Sequence, residues 1–211
     1  MYFNQKNLTS QPILNSTQRI AFVRNNKQMG KKAIVFLANG FEETEALAPT
    51  DIMRRCGIDV TLISINETRT VTSSHNIVIT ADQTINDKLP EYDLIFLPGG
   101  MPGTNNLNAT DIVKNEVISA YNNGRHIAAI CAAPLILGQL GLLNGKKATC
   151  FPGFEEHLKG AQLTKQAVVT DGRITTAIGA GASLKLGIEL VAILIDQNTA
   201  NNIANQIQLN A

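Results

Sequence analysis

The sequence is short of the features that define several protein classes. Cysteine occurs three times, at Cys56, Cys131 and Cys150. No two are spaced as C-x-x-C, and no zinc-binding spacing is present. A disulfide framework and a structural zinc site are therefore not expected. The odd, sparse count fits a reducing compartment, so a cytoplasmic location is expected. No run of about 18 uncharged apolar residues exists, and no membrane span is expected. The most apolar segment, LGIELVAILI, is interrupted by Glu189. No internal repeat is visible. The first 32 residues hold no acid, while carrying Lys6, Arg19, Arg24, Lys27, Lys31 and Lys32. The whole chain has a formal net charge of +1, so the rest carries −5. A mildly acidic body does not favour a nucleic-acid groove.

What is present is a globular composition, 44% apolar and 17% charged over 211 residues. That length suits one domain with a well-buried core. The expected division is a basic, polar extension over residues 1–29 and a single domain over 30–211. The extension reads either as disordered or as an organellar targeting segment, for which basic, acid-free composition is typical.

From Lys32 the pattern becomes regular. KAIVFLA, IDVTLISI, YDLIFLPGG and HIAAI read as buried strands, and NIVITADQTI as a further strand or hairpin arm. KKATC and AVVTDGRITTA add strand, the latter a hairpin turning at Asp171–Gly172. EETEALAPTDIMRRCG reads as a helix with acids first, bases last and Gly57 as its stop; Pro49 must kink it or be accommodated. DIVKNEVISAYNNG, PLILGQLGLL and ASLKLGIELVAILI read as further helices, the last with Lys185 and Glu189 paired at i, i+4. NTANNIANQIQLNA suits a last short helix. Continuously apolar strands alternating with helices imply an α/β fold, a three-layer sandwich with helices on both faces of a mostly parallel, flavodoxin-like sheet. Ligands then bind at the carboxyl ends of the strands. Three junctions matter: 39–45, 98–103 and 130–134.

At the last junction, Cys131 is flanked at −2 and +2 by Ala129 and Ala133. Small residues at those positions match a nucleophile elbow, the sharp strand-to-helix turn written G-x-S-x-G. The sulfur would face the N-terminus of the next helix, which favours thiolate, and Pro134 suits that helix start. The alternative is that Cys131 is core filler, because cysteine often serves as a small buried hydrophobe. Cys56 and Cys150 read as filler.

The other two junctions supply potential partners. LPGGMPG follows a strand, and paired amides at such a turn can stabilise an oxyanion. NGFEETE opens the first helix with Glu42, Glu43 and Glu45. Each can complement the helix dipole, or one can reach the sulfur and relay a proton. Spacing does not select among the three. The histidines are poorly placed for a Cys–His pair. His126 precedes Cys131 by about 16 Å of extended chain. His157 lies in a loop that could fold over the site, and His75 in a polar loop.

Taken together, GFEETEA, DIMRRCGIDVT, YDLIFLPGG and AAICAAP, in this order and at these separations, resemble the DJ-1/PfpI family. The resemblance is to its DJ-1-like branch, within the class I glutamine-amidotransferase-like fold, and covers roughly Lys32 to Gln208. It implies that the reactive cysteine is Cys131 and its partner carboxylate Glu45. It also implies backbone donors at Gly100 and Ala132, and a homodimer that brings a loop residue of one subunit near the other's cysteine. That loop position holds His75, where arginine is familiar. Phe151 stands where some members have histidine, and IGAG, Ile178 to Gly181, replaces R-G-P-G. Protease members carry histidine directly after the cysteine; Ala132 stands there instead, which disfavours amidase or peptidase action.

The resemblance implies an enzyme of the glyoxalase III or deglycase kind, acting on a small α-oxoaldehyde without cofactor or metal. A redox sensor or stress-linked chaperone, with Cys131 oxidised to sulfinate, is the alternative. A non-catalytic domain with an inert Cys131 is a third.

Overall fold

The structure is a computed structural model that describes residues 30–209. The expected extension over 1–29 lies outside the described residues.

Seven strands form the central sheet, in the order β10-β11-β7-β6-β1-β2-β5. They are β1 (Lys32–Leu37), β2 (Asp59–Ser64), β5 (Gln83–Thr84), β6 (Leu94–Leu97), β7 (His126–Ile130), β10 (Val168–Asp171) and β11 (Ile174–Ala177). All neighbours pair parallel except β10 with β11, the expected hairpin. Alternation along each strand divides the core. Ala33, Val35, Leu37, Phe96, Ala128 and Ile130 face one side, packed with α1 (Glu43–Arg55), α5 (Ser183–Leu194) and α6 (Gln197–Gln206). Ile34, Phe36, Ile95, Leu97, Ile127 and Ala129 face the other. There they meet α2 (Gly103–Ala109), α3 (Asp111–Asn122) and α4 (Pro134–Gln139). Burial on both faces explains why β1, β6 and β7 read as unbroken apolar runs. The chain is thus an α/β three-layer sandwich. Among the described residues, no helix is long and apolar enough to cross a membrane.

The structure decides two open readings and corrects two others. NIVITADQTI begins as the hairpin arm and is not one strand of the main sheet. Val78–Thr80 (β4) pairs antiparallel with Thr70–Thr72 (β3) in a separate hairpin, and β5 follows on the main sheet's edge. KKATC contributes only β8 (Lys147–Ala148), paired with β9 (Gln162–Leu163) in a separate two-stranded ladder. The helix α1 runs through Pro49, which is buried. The Lys185–Glu189 ion pair is not among those of the described residues; Glu189 instead accepts from Thr170 Oγ1 at 2.7 Å.

The sheet places four strand ends side by side. β11, β7, β6 and β1 are consecutive neighbours. Register Leu97–Ala129 between β6 and β7 carries on to bring Gly99 level with Cys131. Register Ala177–Ile130 brings the chain after β11 to the same edge. The strand order changes direction at β1 and β6, the kind of switch point where open α/β sheets hold ligands.

Candidate active site

Cys131 follows β7 directly and has φ of +63°. A non-glycine residue in that region is strained by about 1–3 kcal/mol and persists only when its surroundings over-determine it. They do. Its N–H donates to Ala177 C=O at 2.9 Å, and its C=O accepts from Phe151 N–H at 2.8 Å. Ala133 N–H donates to Ile130 C=O at 3.0 Å, closing the turn. Ala129 and Ala133 are fully buried on either side, so larger side chains there would have no room. This is an elbow. It turns the sulfur away from the strand and towards the amides of Gly100 and Ala132.

The acid cluster separates into three roles because the first helical turn points its side chains in three directions. Glu42 is the N-cap of α1, and its carboxylate accepts from the Glu45 N–H. Glu43 turns to the β3–β4 loop and meets His75 Nδ1 at 2.8 Å. Burial pushes its carboxyl up, but hydrogen bonds from its own amide and Ser73, with the charge of His75, hold it below the usual range. Glu45 points inward and is 1% exposed. Its Oε2 accepts from Gly99 N–H at 3.0 Å. It is also hydrogen-bonded to the Cys131 side chain and faces the Ala180 amide.

Gly99 makes this meeting possible. A methyl group there would stand 2.5 Å from Glu45 Oε2, 2.7 Å from Cys131 Cβ and 2.9 Å from Ile130 O. Gly100 is needed for a different reason: its φ is +89°, and a side chain would strike the Glu42 amide. The expectation named the glycine pair for its amides and did not foresee that Gly99 is the gap between acid and thiol. The signal was the pair's position after β6. Ala180 was also missed.

The electrostatics correct one expectation. Burial raises the Glu45 carboxyl to about 7, helped by the charge of Glu42, against hydrogen bonds from Cys131 and the Gly99 and Ala180 amides. Burial, then the charge of Glu45, pushes the Cys131 thiol up to about 12, against the Ala132 and Gly100 amides. A thiolate at neutrality was expected from the following helix. That helix, α4, has only six residues, and burial together with a neighbouring carboxylate outweighs it. Two acids in one dry site resist carrying two charges. A proton moved from sulfur to Glu45 removes the repulsion and makes the carboxyl a donor to the sulfur. Near neutrality the pair therefore carries at most one negative charge, on Glu45.

The remaining candidates fall outside the pair. His126 sits at the opposite end of β7, buried, 2.8 Å from Thr175 Oγ1. His157 lies in a single 3-10 turn, beside Phe154 and 3.8 Å from Glu156. His75 is 68% exposed on its side chain and bound within the chain to Glu43. Cys56, Cys131 and Cys150 are all free thiols. Burial raises Cys56, and raises Cys150 to about 11 with help from Glu155. Among the described residues one group, Glu42, Glu43 and His75, brings possible metal-donor atoms within 4.8 Å of one another. Those acids are engaged at the positive end of a helix, which opposes a cation.

Comparison with known proteins identifies the family and the fold. The profile of the DJ-1/PfpI family matches residues 31–193. Protein DJ-1 homolog B of Arabidopsis thaliana is 37% identical over 180 residues, which are 84% of this chain. The chain spans only 41% of that relative's length. A mutant of a DJ-1 superfamily protein from Salmonella typhimurium superposes with a TM-score of 0.81 at 34% identity, covering 84% of this chain and 98% of that one. Toxoplasma gondii DJ-1, solved in an oxidised form, gives 0.80 at 30% identity, covering 85% and 98%.

Proposed function

The chain belongs to the DJ-1/PfpI family, and from that premise we propose that it is a cysteine-dependent enzyme that converts small α-oxoaldehydes to hydroxyacids. The observation that carries this reading is the Glu45–Cys131 contact at a strained elbow between two backbone donors. With methylglyoxal, the sulfur of Cys131 attacks the aldehyde carbon as its proton passes to Glu45. The new C–S bond leaves an alkoxide that the Gly100 and Ala132 amides stabilise and Glu45 protonates, giving a hemithioacetal. The Glu45 carboxylate next removes the hydrogen on that carbon and delivers a proton to the adjacent carbon, while the hemithioacetal hydroxyl gives its proton up to the former ketone oxygen, leaving an α-hydroxy thioester. Water cleaves the C–S bond, releases lactate and restores the thiol. The net change is addition of one water, with no external oxidant or reductant. Conversion of methylglyoxal to lactate by the pure protein tests the reading. A Cys131→Ser variant with undiminished turnover overturns it.

A second reading uses the same atoms. The amides and a protonated Glu45 are suited to hold the anion of an oxidised sulfur, and one similar solved structure is itself an oxidised form. Intact-mass analysis after limited peroxide should then show oxygen on Cys131 before Cys56 or Cys150; even oxidation of all three counts against it. The proposed setting is a reducing, cytoplasmic one. It includes a homodimer in which His75 is offered across the interface. The exposed Ile77 and Val78 in the same hairpin support that surface.

A further inference from the structure

An open pocket of about 430 Å³ lies beside the backbone that holds the reacting pair. Two of its lining residues touch that pair directly. Phe151 donates its amide to the Cys131 carbonyl, and the Ala180 amide faces the Glu45 carboxylate. The rest of the wall is made largely by Ile178, Gly179 and Gly181, with Lys185. Phe151 is 47% exposed, large for an aromatic residue, and its ring lies over Gly179, where an added methyl would stand 3.2 Å from it. At Gly181 an added methyl would meet nothing within 4 Å, so the space there is open.

We propose that this cavity receives an apolar substituent of the substrate, so that the aldehydes this chain prefers carry alkyl or aryl groups beyond the reacting carbonyls. The proposal rests on the catalytic reading above and gives it a substrate class. The chemistry of the wall argues for it. Phe151 and Ile178 line the pocket, and neither can pair with charge. Lys185 is the one charged residue of the wall, and it is exposed. An ammonium in water gives little net gain from pairing with a carboxylate. The pocket opens to solvent, and methylglyoxal is too small to cover its apolar wall. A phenyl group attached to the dicarbonyl would displace water from that wall and lie against Phe151.

The test uses the full chain and two pairs of probes. Phenylglyoxal and methylglyoxal are compared by kcat/KM. N-benzyl-iodoacetamide and iodoacetamide are compared by the rate of labelling Cys131, each divided by its rate with free cysteine. The proposal expects phenylglyoxal to exceed methylglyoxal at least about tenfold, and the benzyl reagent to be favoured at Cys131. Gly181→Leu, which fills the open space, should reduce both ratios about tenfold; Phe151→His should reduce them in the same direction should the first variant not fold. Ratios near one in the unaltered protein, for both pairs, overturn the proposal even where methylglyoxal is consumed. A benzyl preference lost in Gly181→Leu, with neither aldehyde consumed, upholds the cavity and overturns the catalytic reading. Absence of both turnover and benzyl preference overturns both.

Discussion

His126 opens β7 and Cys131 follows its last residue, so one short strand carries a titratable side chain at each end. Both are largely removed from water, and burial shifts both towards their neutral forms. For His126 the protonated form is suppressed to about 4, and the ring meets a threonine hydroxyl. Burial is the sole cause of that shift. At the other end the thiol is raised to about 12, but a carboxyl raised to about 7 touches it and two amides face it. Burial alone makes a silent core residue. Burial with a second acid and oriented donors makes a place where a proton can move. The difference comes from the sheet: the carboxyl ends of β1, β6, β7 and β11 bring loops together, whereas the amino end of β7 only packs.

The most damaging way to break that contrast is Gly99→Ala. The new methyl would occupy the space between Glu45 and Cys131, and it also meets the Ile130 carbonyl, which cannot swing aside as a side chain could. Turnover of an α-oxoaldehyde should fall by at least about a hundredfold, the scale of losing general acid–base assistance. Overpacking should cost about 1–3 kcal/mol of stability, read from denaturant unfolding. Activity within a factor of two would mean that the acid and the sulfur need not touch.

Glu45→Gln sharpens the contrast through pH. The folded carboxyl sits near 7 and the unfolded one near 4.5, so between those values the folded state holds a proton that the unfolded chain has released. Stability therefore falls as pH rises through that window, by about 3 kcal/mol in all. The Gln variant should lose this slope and gain stability relative to the parent at pH 8 compared with pH 4. Parallel curves of Tm against pH for the two proteins would show that Glu45 ionises as freely when folded as when unfolded. The same substitution should change how alkylation of Cys131 depends on pH, since the sulfur loses its neighbouring charge.

Much of this was legible in the sequence for identifiable reasons. β1, β2, β6 and β7 are apolar runs bounded by polar or glycine-containing turns, and the Asp171–Gly172 hairpin carries its own turn signal. The elbow was legible because Ala129 and Ala133 leave it room. Less legible was whatever depends on distant chain. PLILGQLGLL holds two glycines, and only the structure shows that Gly141, at φ +72° after the C-cap Leu140, is the one that ends α4, while Gly138 lies within it. NIVITADQTI divides because its first half pairs with β3 instead of joining the main sheet. The choice of Glu45 among three acids came from family resemblance. Its physical basis, with Glu42 turned back as a cap and Glu43 held by the β3–β4 loop, is visible only in three dimensions. The Ala180 amide arrives from a segment 135 positions further along the chain than Glu45, and no local pattern announces it.

The silent end of β7 provides the smallest effect and the control for the rest. His126→Leu removes one hydrogen bond to Thr175 Oγ1, which keeps its contact with Thr170 Oγ1 at 2.9 Å. At pH 7 the cost should be about 1 kcal/mol, the ordinary net value of such a bond. Turnover and Cys131 labelling should stay within a factor of two. In acid the sign is opposite to that at Glu45. The folded imidazole is held near 4 and the unfolded one takes up its proton near 6.5, so the parent loses stability as pH falls through that interval, by about 3 kcal/mol. The Leu variant lacks that loss, so its disadvantage at pH 7 should shrink and reverse as pH falls towards 4. If the variant instead lost activity while remaining folded, the two ends of the strand would be coupled. The catalytic unit would then have to include the length of β7 and not just its carboxyl end.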